Sequence, residues 1–479
     1  MTQTLALAHS VAGQARRGPV AFEQRNPAVP DDLAVLGPEA DAALVAEASA
    51  AAHGAIAALE TAGIEARADA LARIGRTLTA VADRIGLLIA RETGKTLGDS
   101  KGEVLRAARI FDFFAGETLR NIGERYASTR PGALVEVDYA PVGVVAAITP
   151  WNFPIAIPAW KIAPALAFGN AVLWKPSEIA SATADALMTI IAGSGLPPGA
   201  VNMLLGAGAA GRAVVEADGV DAVTFTGSVA TGAQVRMAAA SRGRRVQLEM
   251  GGVNGLVVLA DADLDNAVDC AVNGAFFAAG QRCTATSRII VEARIADELI
   301  AAIRKRVASL KVGDPRDPST QIGPLAAPRQ KALISRQVSQ LESGGLRPLF
   351  GGSAQQMEHC FYAPTLFDHL PADSVFAQEE IFGPVAGVFR VDDFDSAVAL
   401  LNSSPFALSA GICTRSLLHA EQFKRRARAG MLMVNLPTAG VDYHAPFGGS
   451  GASSYGPREQ GRAARTFYTT SRTIYQRAL

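Results

Sequence analysis

Runs of apolar residues alternate with helix-forming stretches along most of the chain. Residues 37–126 are rich in Ala, Leu, Glu and Arg, with Gly and Thr at the breaks, which predicts a series of helices. From residue 142 to about 249, helical stretches separate short apolar runs typical of buried strands: GVVAAIT, NAVLWKPSE, VNMLLG, AVTFTGS and RRVQLEM. A second segment of the same kind runs from residue 254 to about 455. The pattern predicts an α/β fold with two domains, each built on a parallel sheet covered by helices.

Two further segments predict strands outside these domains. In YASTRPGALVEVDYAPVG, β-forming residues flank RPGA at 130–133, where Pro followed by Gly favours a type II turn. We therefore expect a hairpin that leads into the buried strand GVVAAIT. The last residues, RTFYTTSRTIYQRAL, alternate in polarity and predict a terminal strand.

Composition narrows the classes of function. The 479 residues are 49% hydrophobic and include 45 acidic and 45 basic residues, so the chain has no net charge to attract nucleic acid. The four cysteines are far apart and form neither a disulfide framework nor a metal-binding spacing, which favours a reducing compartment and no metal site. The N-terminus lacks the order of charged and apolar residues of a secretory signal, and no uninterrupted apolar segment reaches membrane-spanning length. We expect a cytoplasmic protein that contacts no membrane.

Three residues are candidates for catalysis, and each also has a simpler structural explanation. Cys283 lies at a polar junction in FFAAGQRCTATSRI, where Arg282 favours its thiolate, although a lone cysteine is more often a small buried hydrophobe. Glu249 ends an apolar strand in RRVQLEMGG and is either a general base with a pKa raised by burial or a surface residue. Asn152 in ITPWNFP is either an amide donor to an oxyanion or a turn residue.

Seven segments in order connect these residues to a known family: PWNFP, LWKPSE, FTGSVATG, LEMGG, GQRCT, EEIFGPV and PFGGSG. Together they resemble the aldehyde dehydrogenase superfamily over essentially the whole chain. The resemblance implies NAD(P)-dependent oxidation of an aldehyde to a carboxylic acid through a thiohemiacetal and a thioester on Cys283. Asn152 and the backbone N–H of Cys283 would hold the oxyanion, and Glu249 would activate water. The alternatives are a Cys/Glu hydrolase and a non-catalytic structural protein.

Two glycine-bearing turns compete for the cofactor phosphates. LLGAGAAG carries the spacing G-x-G-x-x-G at Gly206, Gly208 and Gly211, but the acidic residues after it come too early for a ribose contact. The family resemblance instead places FTGSVATG at the pyrophosphate and Gly208 near the adenine, leaving Gly206 and Gly211 to the turn and to helix packing. A carboxylate at Glu178 favours NAD, with NADP possible. The residues that the resemblance assigns to the cofactor are Ile148, Thr149, Pro150, Trp151, Lys175, Ser177, Glu178, Gly208, Gly227, Ser228, Thr231, Met250, Gly251, Glu380 and Phe382.

Within the superfamily, the chain is most similar to α-ketoglutaric semialdehyde (2,5-dioxovalerate) dehydrogenases. The segments responsible are WNFPIAIPAWKIAPALA and MLMVNLPTAGVDYHAPFGG, together with SSYGPREQG and FYTT. They would line a substrate tunnel, in which a cation must meet the carboxylate of the substrate. Succinic semialdehyde and a broad range of aliphatic or aromatic aldehydes are the alternative substrates. The residues assigned to this tunnel are Phe153, Ile157 and Trp160 on one helix face, Val441 and Phe447 opposite them, Thr284, and Arg282 as the cation.

The resemblance also implies a domain plan and an oligomer. Residues 1–121 and 142–249 would bind the cofactor, 250–457 would form the catalytic domain, and 122–141 with 458–479 would form a small β bridging unit. Members of the family commonly form homodimers or homotetramers. The chain departs from the family pattern at Val253 and Gly255, where Lys and Pro are usual, and at Ser450 and Gly451, where Arg and Lys are usual. These departures are expected to alter helix packing or subunit contacts.

Overall fold

A computed structural model of the chain describes residues 3–120, 123–355 and 357–477. Its strands, in chain order, are β1 (Leu5–Ala6), β2 (His9–Val11), β3 (Gln14–Arg16), β4 (Val20–Arg25), β5 (Leu33–Pro38), β6 (Glu124–Ala127), β7 (Ala133–Pro141), β8 (Val144–Ile148), β9 (Ala171–Lys175), β10 (Val201–Met203), β11 (Ala222–Thr226), β12 (Arg245–Glu249), β13 (Asn254–Val258), β14 (Thr286–Glu292), β15 (Pro348–Phe350), β16 (Thr365–Phe367), β17 (Val385–Val391), β18 (Phe406–Ala407), β19 (Ser409–Cys413), β20 (Met431–Val434), β21 (Ser450–Gly451), β22 (Ser454–Tyr455) and β23 (Thr469–Arg477).

The helices cover both faces of the larger sheets and connect most of their strands. In chain order they are α1 (Ala42–Ala80), α2 (Ala82–Thr93), α3 (Leu97–Thr118), α4 (Ala156–Ala167), α5 (Ser181–Ala192), α6 (Gly208–Glu216), α7 (Val229–Ala240), α8 (Leu264–Phe276), α9 (Ala293–Ala308), α10 (Pro328–Ser343), α11 (Val375–Gln378), α12 (Phe394–Leu401), α13 (Leu417–Arg426) and α14 (Arg465–Tyr468). Short 3₁₀ turns lie at Glu178–Ala180, Phe277–Gly280 and Gly461–Ala464.

The first large sheet contains the five strands predicted between residues 142 and 249. Among the described residues its strand order is β22-β12-β11-β8-β9-β10-β2-β3. The strands from β12 to β10 are parallel, as predicted, while β22, β2 and β3 pair antiparallel at the two ends. Every residue of β8 and β9 is buried, which explains their continuous apolar sequences. The antiparallel end strands are only two or three residues long and carry no such signal.

The second large sheet lies in the later part of the chain and is also mainly parallel. In the described ranges its strand order is β15-β16-β17-β14-β13-β19-β20. Only β15 runs antiparallel to its neighbour. All residues of β13, β14 and β19 are buried under the flanking helices. The predicted second parallel sheet is therefore present.

A small antiparallel sheet joins the predicted hairpin to the predicted terminal strand. Its order is β23-β7-β6, and β23 pairs with the full length of β7. Gly132 has a φ of 74°, and the Ala133 N–H donates to the Arg130 carbonyl at 3.1 Å, which is the geometry of the expected type II turn. After Thr469, the residues of β23 are exposed to solvent. Both segments thus form the strands that the sequence predicts.

Helix α1 is the longest helix and bends at Gly63, whose φ is 80°. By length and composition it is apolar enough to cross a membrane, although Glu47 and Glu60 interrupt its apolar sequence. Its residues Val45, Ala48 and Ala52 instead belong to a core cluster that also contains residues of β8 and β9. This is the packing of a helix that covers a sheet.

Candidate active site

A cleft of about 1730 Å³ opens at the carboxyl ends of β8, β9 and β11. In open parallel sheets this edge is the usual ligand site. The N-termini of α6 and α7 also border the cleft, so their free backbone N–H groups can face an anion. The predicted cofactor residues in its lining are Ile148, Thr149, Pro150, Trp151, Lys175, Ser177, Glu178, Gly208, Gly227, Ser228 and Thr231.

Both glycine-bearing turns border this one cleft. A Cβ atom added to Gly208 would meet no atom within 4 Å, so this residue faces open space, whereas one added to Gly227 would collide with the Phe225 ring. Gly206 has a φ of 138° and is a turn residue, as expected. Gly211 was expected to serve helix packing, but it lines the cleft, and its nearest neighbour is the aliphatic part of Lys175. The small side chains leave the backbone accessible to a dinucleotide.

One end of the cleft carries a charged cluster around Glu178. Its Oε1 accepts a hydrogen bond from Arg329 Nη2 at 2.8 Å, and its Oε2 lies 3.9 Å from Lys175 Nζ. Burial acts to raise the pKa of Glu178, but Lys175 and Arg329 outweigh it and hold the pKa below its usual value. Arg212, Arg242 and Arg329 also line the cleft, and none of them was predicted from the sequence.

The predicted residues Met250, Gly251, Glu380 and Phe382 lie beyond the cleft lining, on the side of Cys283. Phe382 packs edge-on against Trp151, with 5.6 Å between ring centroids. Glu380 accepts a hydrogen bond from the Gly252 N–H at 3.0 Å, and burial raises its pKa to about 7. A side chain on Gly251 would collide with the Glu380 carboxylate. These contacts hold the half-buried Glu380 carboxyl group beside Gly251 and Gly252, where its charge also acts on the Cys283 thiol.

Cys283 follows a turn with unusual backbone geometry. Ala278, Ala279 and Gly280 have φ values of 54°, 52° and 65°. A Cβ atom on Gly280 would collide with the Gly383 carbonyl, so glycine is required there. The half-buried Cys283 packs against a cluster of Leu408, Met431 and Phe447, with Met433 and Val441 at its margin. The cysteine is therefore held in an apolar pocket that is partly open.

The Arg282 guanidinium group is bound to helix α8 rather than to the Cys283 thiol. Burial lowers the pKa of Arg282, but the two charges still attract each other, since the Cys283 charge acts to raise that pKa. The guanidinium group donates to the carbonyl of Asn273, to the Gly274 carbonyl at 3.3 Å and to Asn273 Oδ1 at 3.5 Å. These acceptors are at the end of α8, so Arg282 holds that helix in place. Burial raises the pKa of Cys283, and the charges of Glu380 and Glu249 raise it further. The thiol thus needs a base to become a nucleophile.

Glu249 is a buried residue rather than a surface one, with 2% of its surface exposed. Ser454 Oγ donates to its Oε2 at 2.6 Å. Burial raises the pKa of Glu249 well above its usual value, and the nearby carboxylate of Glu459 adds to this effect. The raised pKa agrees in direction with the expectation for a general base.

A buried polar network missed by the sequence analysis lies behind Glu249. Lys161 is fully buried in α4 and forms an ion pair with Glu459. Lys161 Nζ also donates to Thr224 Oγ1 at 2.8 Å, and that hydroxyl group donates to Gln247 Oε1 at 3.0 Å. The one charged residue in the apolar stretch AIPAWKIAPALA was a signal that could have indicated it, because a buried lysine needs a partner.

Asn152 is buried and oriented toward the segment that precedes Cys283. Its Nδ2 donates to the Gln281 carbonyl at 3.1 Å and retains a second hydrogen. Gln281 is itself held, because its Oε1 accepts a hydrogen bond from the Ala326 N–H at 3.0 Å. The Asn152 amide is therefore fixed to the backbone of Gln281, which precedes the cysteine by two residues.

The predicted tunnel residues divide into two groups. Trp160 stacks on Phe447 with 5.5 Å between centroids, and Phe447 and Val441 belong to the Cys283 cluster. Phe153 does not share a helix face with Trp160, because α4 begins only at Ala156.

The other predicted tunnel residues pack elsewhere. Ile157 is 1% exposed and belongs to the core between the helices and the first sheet. Thr284 is buried, and its carbonyl accepts a hydrogen bond from Thr438 Oγ1 at 2.8 Å. Arg282 is bound to helix carbonyls, as described above.

The four departures from the family pattern lie in strands or beside one, rather than in helices. Val253 is buried, and its carbonyl accepts a hydrogen bond from Arg288 Nη2 at 3.1 Å. Gly255 in β13 leaves room for the Leu401 side chain. Ser450 and Gly451 form β21, which pairs with β18. Because Leu401 ends helix α12, Gly255 does affect helix packing, whereas Ser450 and Gly451 take part in strand pairing.

Comparisons with known proteins show similarity over most of the chain, not only at the site. Residues 15–474 match the Aldehyde dehydrogenase family. The chain is 39% identical to the α-ketoglutaric semialdehyde dehydrogenase of Bacillus subtilis (strain 168), over 82% of each chain.

Solved structures show the same architecture. An NAD-dependent aldehyde dehydrogenase from Sinorhizobium meliloti superposes with a TM-score of 0.96 at 31% identity, over 99% of this chain and 95% of that one. Betaine aldehyde dehydrogenase from Staphylococcus aureus, in complex with NAD⁺, superposes with a TM-score of 0.94 at 29% identity, over 98% and 95% of the two chains. Agreement in sequence and fold over nearly the whole length shows that this chain belongs to the aldehyde dehydrogenase family and oxidises aldehydes with NAD.

Proposed function

We propose that the substrate is a carboxylated semialdehyde such as α-ketoglutaric semialdehyde, which the enzyme converts to the dicarboxylic acid. The Bacillus subtilis relative that bears this name supports the proposal. So does an independent similarity of 37% identity, over 95% of each chain, to the α-ketoglutarate semialdehyde dehydrogenase of Haloferax volcanii. The pocket around Cys283 is closed on one side by Trp160 and Phe447, which suits a short substrate chain.

The proposed roles of the catalytic residues rest on one observation. Cys283 and Glu249 come from different sheets, yet they are close enough for the Glu249 charge to raise the pKa of the thiol. In the proposed reaction Cys283 Sγ bonds to the aldehyde carbon while the thiol proton passes to Glu249. The oxygen becomes an oxyanion that the Asn152 amide and the Cys283 N–H bind. After the substrate is oxidised, Glu249 releases the thiol proton to solvent and then takes a proton from water, whose oxygen bonds to the thioester carbon while Cys283 leaves as a thiolate.

The cleft would hold NAD by several kinds of contact. The N-terminus of α7 with Gly227 and Ser228 would bind the pyrophosphate, and Lys175 with Glu178 would bind the adenosine ribose. Glu380 and Phe382 would face the nicotinamide ribose. NAD supplies the acceptor for the hydride that leaves the substrate carbon. The cations around Glu178 reduce its repulsion of a 2′-phosphate, so we propose that NADP serves as a weaker second cofactor.

We further propose that the enzyme is a cytoplasmic homodimer or homotetramer assembled through the sheet β23-β7-β6. This sheet would be the bridging unit of 122–141 and 458–479, beside a cofactor domain of 1–121 and 142–249 and a catalytic domain of 250–457. The exposed strand β23 and its free edge support the proposal, because such an edge can pair with another strand.

A spectrophotometric assay of nicotinamide reduction tests the proposed substrate. Purified enzyme with NAD is given α-ketoglutaric semialdehyde, succinic semialdehyde, pentanal and benzaldehyde. We expect the highest kcat/KM with α-ketoglutaric semialdehyde. A higher value for a neutral aldehyde would exclude the carboxylated substrate while leaving aldehyde oxidation intact.

A further inference from the structure

Arg106, on helix α3, has a guanidinium group with no partner for two of its nitrogens. In the described part of the chain, Nε and Nη2 are buried without a hydrogen bond. A buried donor without an acceptor costs about 1–3 kcal/mol, and more when it is charged. Burial lowers the pKa of Arg106, although Glu103 and Asp442 act to raise it. An arginine in this state is suited to an acceptor from outside the chain.

The carboxylate nearest in the chain is already fully engaged. Glu103 forms a buried ion pair with Lys95, and its Oε1 accepts hydrogen bonds from the Ile155 N–H at 3.0 Å and the Ala156 N–H at 3.1 Å. Arg106 therefore shares the Glu103 charge with Lys95, and the other carboxylate that acts on Arg106 is that of Asp442. Asp442 is exposed, and within the described ranges it forms no ion pair with Arg106.

The contacts around Arg106 lead toward two segments near the active site. Lys95 Nζ lies 3.9 Å from the centroid of the Phe153 ring, directly after Asn152 in the chain. Two turns further along α3, the Phe113 ring packs against Tyr443 at 6.3 Å. Tyr443 and Asp442 follow Val441, which packs in the Cys283 cluster. Helix α3 thus presents Arg106 to the same two segments that border the cysteine.

We propose that Arg106 binds the carboxylate at the far end of the substrate and so determines the preference for aldehydes that carry an acid group. The proposal rests on the carboxylated substrate inferred above. A guanidinium group offers two parallel N–H donors that match the two oxygens of a carboxylate. Arg282, the cation expected from the sequence, is less suited to this role, because its Nη1 and Nη2 donate to Asn273 and Gly274 at the end of α8 and only its Nε lacks a partner.

The test is the ratio of kcat/KM for α-ketoglutaric semialdehyde to that for pentanal, which has five carbons and no carboxylate. In Arg106→Gln we expect this ratio to fall about 100-fold, because the substrate carboxylate would be buried without its charged partner. Arg106→Lys keeps the charge without the paired donors, and in this variant the ratio should fall about tenfold. Arg109→Gln is the matched control: it is on the same helix, its side chain is 70% exposed, and its ratio should change less than threefold.

Inhibition of pentanal oxidation by α-ketoglutarate separates this proposal from the proposed substrate. We expect the inhibition constant to rise about 100-fold in Arg106→Gln. If both the ratio and the inhibition constant stay unchanged, or if Arg106→Gln lowers kcat/KM equally for both aldehydes, Arg106 is not the carboxylate site. If the wild-type enzyme prefers pentanal, the proposed substrate is wrong, and the inhibition constants alone decide the role of Arg106. Should Arg106→Gln not fold, the Lys variant and the same two measurements decide.

Discussion

Burial controls the acid–base chemistry of the individual active-site residues. It raises the pKa of Cys283, of Glu249 and of Glu380, the last to about 7. Burial disfavours the charged form of each of these groups. The thiol and the water that attacks the thioester therefore both depend on a nearby base. The raised pKa of Glu249 makes it a stronger base than a surface glutamate. It also means that the base form is present only at higher pH.

Substitution of the two catalytic residues tests the proposed scheme. Cys283→Ala should abolish turnover, because no bond to the aldehyde carbon can form. Glu249→Gln should slow NADH formation in the first turnover, because the thiol loses its base, and should also slow thioester hydrolysis, so that mass spectrometry detects a thioester retained on Cys283. Wild-type kcat should rise with pH as Glu249 loses its proton, and the Gln variant should lose this dependence. Full activity of Cys283→Ala would exclude the scheme.

The charges around the ribose end of the cleft should set the choice of cofactor. Removing the Glu178 carboxylate leaves Arg329 and Lys175 free to bind a 2′-phosphate, so Glu178→Gln should raise the kcat/KM ratio of NADP to NAD about tenfold, or about 1.4 kcal/mol. Arg329→Gln should lower the same ratio. Initial rates with both cofactors measure the effect, and identical ratios in all three enzymes would exclude this cluster as the determinant.

At the scale of the elements, a residue of helix α2 caps the N-terminus of helix α5. Glu92, near the end of α2, is fully buried and accepts hydrogen bonds from the N–H groups of Ala182 at 2.7 Å and Thr183 at 2.9 Å. Thr183 Oγ1 donates to the same carboxyl group at 2.8 Å. These N–H groups belong to the first turn of α5, where a carboxylate is favoured. Glu92 therefore joins α2 to α5 and satisfies donors that the helix leaves free.

Loss of this cap should lower stability measurably. We expect Glu92→Gln to reduce the free energy of unfolding by about 1–3 kcal/mol, because an amide cannot accept all three hydrogen bonds. Burial raises the pKa of Glu92 from 4.5 to about 7, so the folded chain binds its proton more tightly and wild-type stability falls as the pH rises through that window. In urea unfolding series at several pH values, the free energy of unfolding of the variant should fall less with rising pH than that of the wild type. Exposed Glu65→Gln is the control, expected within about 0.5 kcal/mol, and an equal loss in both would contradict the role of Glu92.

At the scale of the whole molecule, the active site lies where segments from both large sheets meet. Glu249 ends β12 of the first sheet, and Asn254 begins β13 of the second. Asn254 Nδ2 donates to the carbonyls of Cys283 and Ala285, each at 2.8 Å, so the connecting segment is bonded to the cysteine loop. Any change in the packing of the sheets would therefore change the distance between the base and the nucleophile.

The small sheet at the surface should govern assembly. Ile474 and Tyr475 in β23 are 43% and 61% exposed. If this sheet is the subunit interface, a double substitution Ile474→Lys with Tyr475→Lys should yield smaller species in analytical ultracentrifugation, because charges would be buried without partners. Leu417→Lys, at an apolar residue 83% exposed on α13, should leave the mass unchanged. A wild-type mass for the double variant would place the interface elsewhere.

From the sequence alone one could predict the alternation of strands and helices between residues 142 and 455, the two parallel sheets, and the candidates Cys283, Glu249 and Asn152. Apolar periodicity and short motifs act locally, so they can be read along the chain. The contacts of long side chains were decided only by the tertiary structure. Arg282 is bound to helix carbonyls, and Lys161 meets Glu459 across 298 positions. Such partners are chosen by how distant segments pack, because a buried charge must find whichever acceptor the fold brings to it.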